Sequence, residues 1–293
     1  MITTKEKPVL SLGTANFGMT YGLGNSGEQP GLSQAKQIIA AAIKEGFSHL
    51  DTATAYGNSE QILGDLLPEK HDICITTKLR ANECNDAKSI IQAVKDSLQR
   101  SKQTKFWSVL LHDPDILING KHNEIKEGLN QIIEAGLTKH VGISAYSEKE
   151  IVQAKAIAPI LSVFQIPENI CDRRYAQSSN LSALAEAGNK IFVRSIFLQG
   201  LLLMDPLTLP RKVKDSSSVL LDLKSFCGEK KVSILELCIN YACSIKWASG
   251  LIFGAVSEQQ ILEITNCLNT GAKIDYFSAP RLNDWLLDPR NWS

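Results

Sequence analysis

The chain has 293 residues, 44% of them hydrophobic and 21% charged, with 31 basic and 31 acidic side chains. That length and apolar content suit one large α/β domain spanning 1–293, and the even charge gives no footprint for nucleic acid and no acidic solvating tail. No apolar run is long enough for a membrane span, the opening Met-Ile-Thr-Thr-Lys-Glu-Lys lacks the apolar centre of a secretory leader, and seven cysteines without a Cys-x-x-Cys pair read as reduced thiols of a cytoplasmic protein, not as a disulfide framework or a metal site.

Strand and helix patterns alternate along the chain. Residues 9–14 read as a strand and 33–45 as a helix. Strand 47–51 is followed by helix 59–67, strand 72–78 by helix 86–101, and strand 106–112 by helix 119–135. Strand 139–144 precedes helix 148–157, and strand 161–166 precedes helix 178–187. After strand 190–196 come two helices, 216–227 and 233–245, then strand 250–254 and helix 258–268. Asn58 with Gln61, and Ser257 with Gln260, have capping-box spacing. Gly136 and Gly188 fall just past helix ends, where a left-handed residue is needed. Eight strand–helix units in this length predict a closed (β/α)8 TIM barrel with extra helices near the C-terminus. The G-x-G-x-x-G fingerprint of the open dinucleotide fold is absent; Gly13, Gly18, Gly22 and Gly24 are spaced otherwise.

Three predicted strands end in chemistry-bearing residues, Asp51, Lys78 and His112, and Tyr56 follows the first of them within one loop. A barrel gathers such ends on its C-terminal rim, where these folds keep their active sites. An ammonium about 4 Å from a phenol, at an effective dielectric of about 20, favours the phenolate by about 4 kcal/mol. That is roughly three pKa units, so Lys78, held by Asp51, is expected to lower the pKa of Tyr56 and make it a general acid. His112 would orient a carbonyl. Such a group needs a hydride source, which side chains lack and a nicotinamide supplies. Taken singly, each residue has a plainer reading: a solvated rim charge, half of an ion pair, or an edge packer. His49 shares the parity of Asp51 but lies deeper and reads as a hydrogen-bonded core histidine, while His71, His122 and His140 read as surface or turn residues.

Asp51-Thr52-Ala53 with Tyr56-Gly57 and Glu60, then Thr77-Lys78, then Leu111-His112-x-Pro114, then Gly142-Ile143-Ser144 and Gln165-x-Pro167-x-Asn169 resemble, in order, the signatures of the aldo-keto reductases. The resemblance implies NADP(H)- or NAD(H)-linked carbonyl chemistry with the tetrad Asp51, Tyr56, Lys78 and His112. It implies Ser144 and Gln165 at the nicotinamide carboxamide, with Arg194 facing the ring. It implies that segment 195–202, with Ser195, Phe197, Gln199 and Gly200, and turn 254–263, with Gly254, Ser257, Gln260 and Glu263, hold the pyrophosphate and adenosine. The run Arg-Ser-Ile-Phe-Leu-Gln-Gly-Leu-Leu-Leu resembles a bacterial subgroup associated with surface-sugar metabolism.

The chain departs from the family pattern at Ala145, where Asn is usual, at Arg194, where an aromatic is usual, and at Gly254 and Gln260, where cations usually meet a 2′-phosphate. Its N-terminus is short for a hairpin lid. Turn 254–263 carries Glu258 and Glu263 and no lysine or arginine, so weak discrimination between NADPH and NADH is expected. The partner is a small carbonyl or alcohol; Phe17, Tyr21, Asn169, Phe197 and Trp285 are candidate pocket residues, although Phe17 and Phe197 fit ordinary core better. Two other readings stay open: a cofactor-binding regulatory subunit, and a barrel lyase using Lys78 as a Schiff-base amine.

Overall fold

A computed structural model of the chain describes residues 7–23, 29–68, 71–268 and 274–292. Gly24 and residues 1–6, on which the short-lid and leader expectations fall, lie outside them. Eight parallel strands close into a barrel in sequence order. They are β1 (Val9–Gly13), β2 (His49–Asp51), β3 (Cys74–Leu79), β4 (Phe106–Leu111), β5 (Thr138–Ser144), β6 (Val163–Pro167), β7 (Lys190–Arg194) and β8 (Gly250–Gly254). The helices are α1 (Ala15–Gly18), α2 (Leu32–Lys44), α3 (Ser59–Leu66), α4 (Ala87–Arg100), α5 (His122–Glu134), α6 (Glu148–Ile157), α7 (Ser179–Glu186), α8 (Ser217–Lys230), α9 (Ile234–Ser244), α10 (Glu258–Cys267) and α11 (Asp284–Leu287). Two helices, α8 and α9, separate β7 from β8, as the sequence pattern predicts. No helix among the described residues is long and apolar enough to cross a membrane.

The outer layer follows from helical periodicity. Ile38, Leu63, Ile90, Leu129, Ile151, Leu181 and Leu237 project from successive helices into one core and are fully buried. Each such side chain contributes about 1.5–3 kcal/mol by leaving water. Ser147 caps α6 by accepting from Glu150 N, and Ser257 caps α10 by accepting from Gln260 N. Gly136 and Gly188 adopt φ of +69° and +87°, the left-handed stops expected of them. Asn58 departs from expectation and makes no side-chain cap. Its backbone is not extended (φ −94°, ψ 15°), and Gln61 turns instead to Asp65 at 3.0 Å. The helix expected from residue 119 is preceded by a π-turn, Ile116–Gly120, and α5 starts at His122.

Inside the barrel, register stacks the inward side chains in layers. Ser11 pairs with His49, and Gly13 with Asp51; Gln165 pairs with Phe192, and Pro167 with Arg194. The lower layer is aromatic. His49 stands edge-on to Trp107 at 4.7 Å, and Phe192 lies 5.7 Å from both rings. Gly250 makes room for this plug, because a Cβ there would lie 2.4 Å from the Phe192 ring. His140 belongs to it as well: its ring is 5.1 Å from Trp107 and meets Ser162 Oγ at 3.2 Å, so it is a barrel-interior residue and not the surface residue expected.

Candidate active site

The upper layer is polar. Lys78, 1% exposed, donates from Nζ to Asp51 Oδ2 at 2.5 Å, to Thr52 O at 3.1 Å and to Tyr56 Oη at 3.4 Å. All three donors of the ammonium are thereby used. Asp51 is held in turn: its Oδ1 accepts from Gln165 Nε2 at 2.5 Å, and its backbone carbonyl accepts from Thr14 Oγ1 at 3.0 Å. Tyr56 sits in the turn after β2, where its N donates to Ala53 O. The turn is fixed by close backbone approach. A Cβ on Gly18 would lie 1.8 Å from Tyr56 O, and one on Gly57 would lie 2.0 Å from Gly18 O, so both positions demand glycine. Glu60 locks the neighbouring strand, accepting from Thr77 Oγ1 at 2.6 Å and pairing with Arg100 at 2.7 Å. The His112 ring stands edge-on to Tyr56, with centroids 5.8 Å apart. The structure therefore brings Asp51, Tyr56, Lys78 and His112 together.

The electrostatics differ from the expectation for the phenol. Burial pushes the Tyr56 pKa upward and the Asp51 carboxylate adds to the rise; Arg194 opposes both. Lys78, 3.4 Å from the phenol, does not outweigh this rise: Asp51 pairs with the ammonium at 2.5 Å, and burial itself lowers the lysine pKa. Tyr56 is thus held firmly protonated. Burial, then Lys78 and Arg194, push His112 down to about 3, so its imidazole is neutral and can donate one hydrogen bond.

A cavity of about 690 Å³ opens above this layer, within the usual range for small-molecule sites. Asp51, Tyr56 and Gln165 line it, and so do Gln260, Glu263 and Asp205. Arg194, Ser195, Phe197, Gln199, Gly200 and Gly254 complete the expected cofactor wall. Ser195, Leu198, Gln199 and Gly200 all have left-handed φ, which curls this segment against the cavity. Ser144 is 3% exposed at the end of β5, beside Gln165 in the ladder. Gln165 Oε1 is buried without a hydrogen-bond partner. An orphaned acceptor among the cavity-lining residues is what a carboxamide N–H₂ would satisfy, so the residues present fit a nicotinamide. Ser257 does not line this cavity; it borders a shallow depression with Gln34 and Glu258.

Of the candidate pocket residues, Tyr21 lines the cavity. Phe17 is core, 1% exposed. Asn169 is also buried, its Oδ1 accepting from Cys171 N at 3.0 Å and its Nδ2 donating to Ser195 O at 3.4 Å. Trp285 lies on α11 and is half exposed, away from the cavity lining. Sequence reasoning missed Tyr146 and Arg290. Their 144-residue separation carries no local signal, yet the Arg290 guanidinium lies 3.7 Å from the Tyr146 ring centroid and that of Arg194 lies 4.2 Å from it.

The Aldo/keto reductase family matches residues 9–279. An NAD(P)H-dependent 6′-deoxychalcone synthase of Glycine max is 29% identical over 164 residues, 48% of this chain and 51% of that protein, so the match spans about half of it. A probable voltage-gated potassium channel subunit beta of Oryza sativa subsp. japonica is 26% identical over 278 residues, 83% of this chain and 84% of that protein. The solved holo form of aldo-keto reductase AKR11C1 from Bacillus halodurans superposes with a TM-score of 0.71 at 20% identity, over 90% of this chain and 88% of that one, and shares the fold. The chain belongs to the aldo/keto reductase family of NAD(P)(H)-dependent oxidoreductases.

Proposed function

We propose that this chain acts in the cytoplasm, as one (β/α)8 domain spanning 1–293, reducing an aldehyde or ketone, such as a sugar-derived carbonyl, to an alcohol or running the reverse reaction. The observation that carries this reading is Lys78 Nζ bridging Asp51 Oδ2 and Tyr56 Oη beside the cavity that Tyr56 lines. A bound nicotinamide supplies the hydride. Tyr56, kept protonated by burial, gives its proton to the carbonyl oxygen, and the phenolate left behind is stabilised by Lys78 and Arg194. Neutral His112 donates to the carbonyl and orients it. Ser144 and Gln165 hold the carboxamide, segment 195–202 the pyrophosphate, and Gly254, Ser257, Gln260 and Glu263 the adenosine end.

The cofactor end is short of cations. Asp205 and Glu263 line the cavity, and Arg194 is the one lysine or arginine among the described residues lining it. NADPH gains little from its extra phosphate there, since each charge-assisted contact it lacks is worth about 1.5–3 kcal/mol. Titration of both reduced cofactors by quenching of tryptophan fluorescence should give dissociation constants within about tenfold of each other. A panel of carbonyl compounds should then oxidise the bound cofactor. No oxidation of either cofactor by any aldehyde or ketone would remove the reductase reading and favour the regulatory subunit, the role suggested by the name of the rice relative.

A further inference from the structure

We propose that the carbonyl substrate carries a carboxylate, and that Arg194 receives it. The inference rests on the reductase reading and names the substrate class of that same site.

The charges around the cavity's reactive end pair off, with one exception. Lys78 is matched by Asp51 at 2.5 Å, and Arg290 by Asp288 at 2.6 Å. Of the other nearby carboxylates, Glu83 pairs with Arg80 at 2.8 Å, and Glu150 is spent on the Tyr146 and Ser147 backbone N–H groups at 2.7 and 3.0 Å. Arg194 forms no ion pair among the described residues, though it is half-buried at the end of β7 and lines the cavity with Tyr56, Tyr21 and Gln165. Its charge reaches the reacting groups, since it opposes the upward shifts of Tyr56 and Tyr21 and adds to the lowering at His112. A guanidinium placed for structure alone would be expected to sit on a carboxylate, because a desolvated unpaired cation is costly.

The guanidinium is also held rigidly. Nη2 donates to Ala145 O at 2.9 Å, Nη1 to Ser195 Oγ at 3.3 Å, and one face packs on Tyr146. Arg290 occupies the same ring, so the Tyr146 aromatic surface is shared by two guanidinia; Asp288 feels the charge of both, but only Arg290 is in contact with it. Nε is buried with no acceptor. Two of five N–H donors are thus engaged, and a planar acceptor with two oxygens is the ligand that the remaining fork matches. A phosphate dianion would leave charge uncompensated against a single cation; a carboxylate balances it. Arg194 is accordingly a specificity-determining residue.

The test compares 4-carboxybenzaldehyde with benzaldehyde, using the full chain with its reduced cofactor, in wild type, Arg194→Gln and Arg194→Lys. The ratio of the two kcat/KM values within each protein cancels any effect of the substitution on folding, on the cofactor or on Tyr56. Wild type should favour the carboxylate by about 10- to 100-fold. Arg194→Gln should bring the ratio near one through a higher KM for the charged aldehyde, and Arg194→Lys should restore part of it. A wild-type ratio near one, or a preference that survives in Arg194→Gln, overturns the proposal. If neither aldehyde turns over, binding of benzoate against benzamide, followed by tryptophan fluorescence, decides the proposal by itself, while the wider carbonyl panel decides the reductase reading. Benzoate binding that is stronger in wild type and lost in Arg194→Gln upholds it; equal affinities overturn it.

Discussion

The two ends of the barrel interior each hold a histidine that desolvation keeps neutral, buried at the floor and half-buried at the rim, and they use it differently. On the floor, His49 is pushed down to about 4 by burial and is wedged between Trp107 and Phe192, with Nε2 unpartnered and Nδ1 on Ser48 Oγ at 3.1 Å. At the rim, His112 is pushed down to about 3, but Lys78 and Arg194 contribute and Tyr56 is its neighbour. Burial alone therefore does not mark a functional group. What distinguishes the rim is a set of charges aimed at one phenol; the floor offers only rings. The same contrast separates Asp51, paired with Lys78, from Glu168, which burial lifts to about 8 and which accepts from Tyr241 Oη at 2.6 Å with no cation in contact among the described residues.

Removing the rim cation should have the largest effect. Lys78→Met strands Asp51 without its partner and leaves the Tyr56 phenolate unstabilised, so turnover should fall by three orders of magnitude or more, on the scale of about 10²–10⁴ for a lost acid–base group plus the lost charge. Asp51→Asn, which shifts Lys78 without removing it, should cost less. Comparable kcat values for Lys78→Met and wild type would erase the distinction between rim and floor.

The floor should break differently. Phe192→Ala opens a cavity against His49, Trp107 and Gly250 and should destabilise the fold by about 3–5 kcal/mol, read from denaturant melts. The kcat of the remaining folded protein should stay near wild type. A collapse of kcat with little loss of stability would show that the floor reaches the chemistry.

A smaller, pH-dependent effect sharpens the contrast. Glu168 titrates near 8 when folded and at the ordinary 4.5 when unfolded, so the native state holds the extra proton between those values and stability is lost as pH rises through that window. His49 acts oppositely: its folded value of about 4 lies below the ordinary 6.5, so its contribution is lost as pH falls from 6.5 through 4. Glu168→Gln, which keeps the acceptor for Tyr241, should flatten the loss of stability between pH 5 and 8 and leave the acid side unchanged. A melt series with the same alkaline slope in both proteins would contradict the assignment.

The sequence pattern sufficed for eight strands and the helices between them because apolar periodicity and helix stops are local. Three tetrad positions were legible as strand ends and Tyr56 as the loop that follows. Three things were not. The fate of the Tyr56 pKa depends on how tightly Asp51 neutralises Lys78, which no spacing encodes. Asn58 has the residue for a cap but not the backbone. Tyr146 and Arg290 meet only because the C-terminal segment folds back over the rim. The mouth was the least legible part: Asn169 is packed away and Trp285 lies outside the cavity lining, while Phe17 is core, the reading its sequence favours, because loops, not periodicity, shape the mouth.

The central claim is that Tyr56 is the proton donor, and Tyr56→Phe tests it most directly because the ring stays and only the proton goes. Single-turnover oxidation of the bound reduced cofactor by an aldehyde should slow by about two to four orders of magnitude while cofactor affinity is retained. In wild type, the rate should hold to pH values above the ordinary phenol range, since burial raises the Tyr56 pKa. A Tyr56→Phe enzyme that turns over at the wild-type rate, with the same pH profile, would contradict the account.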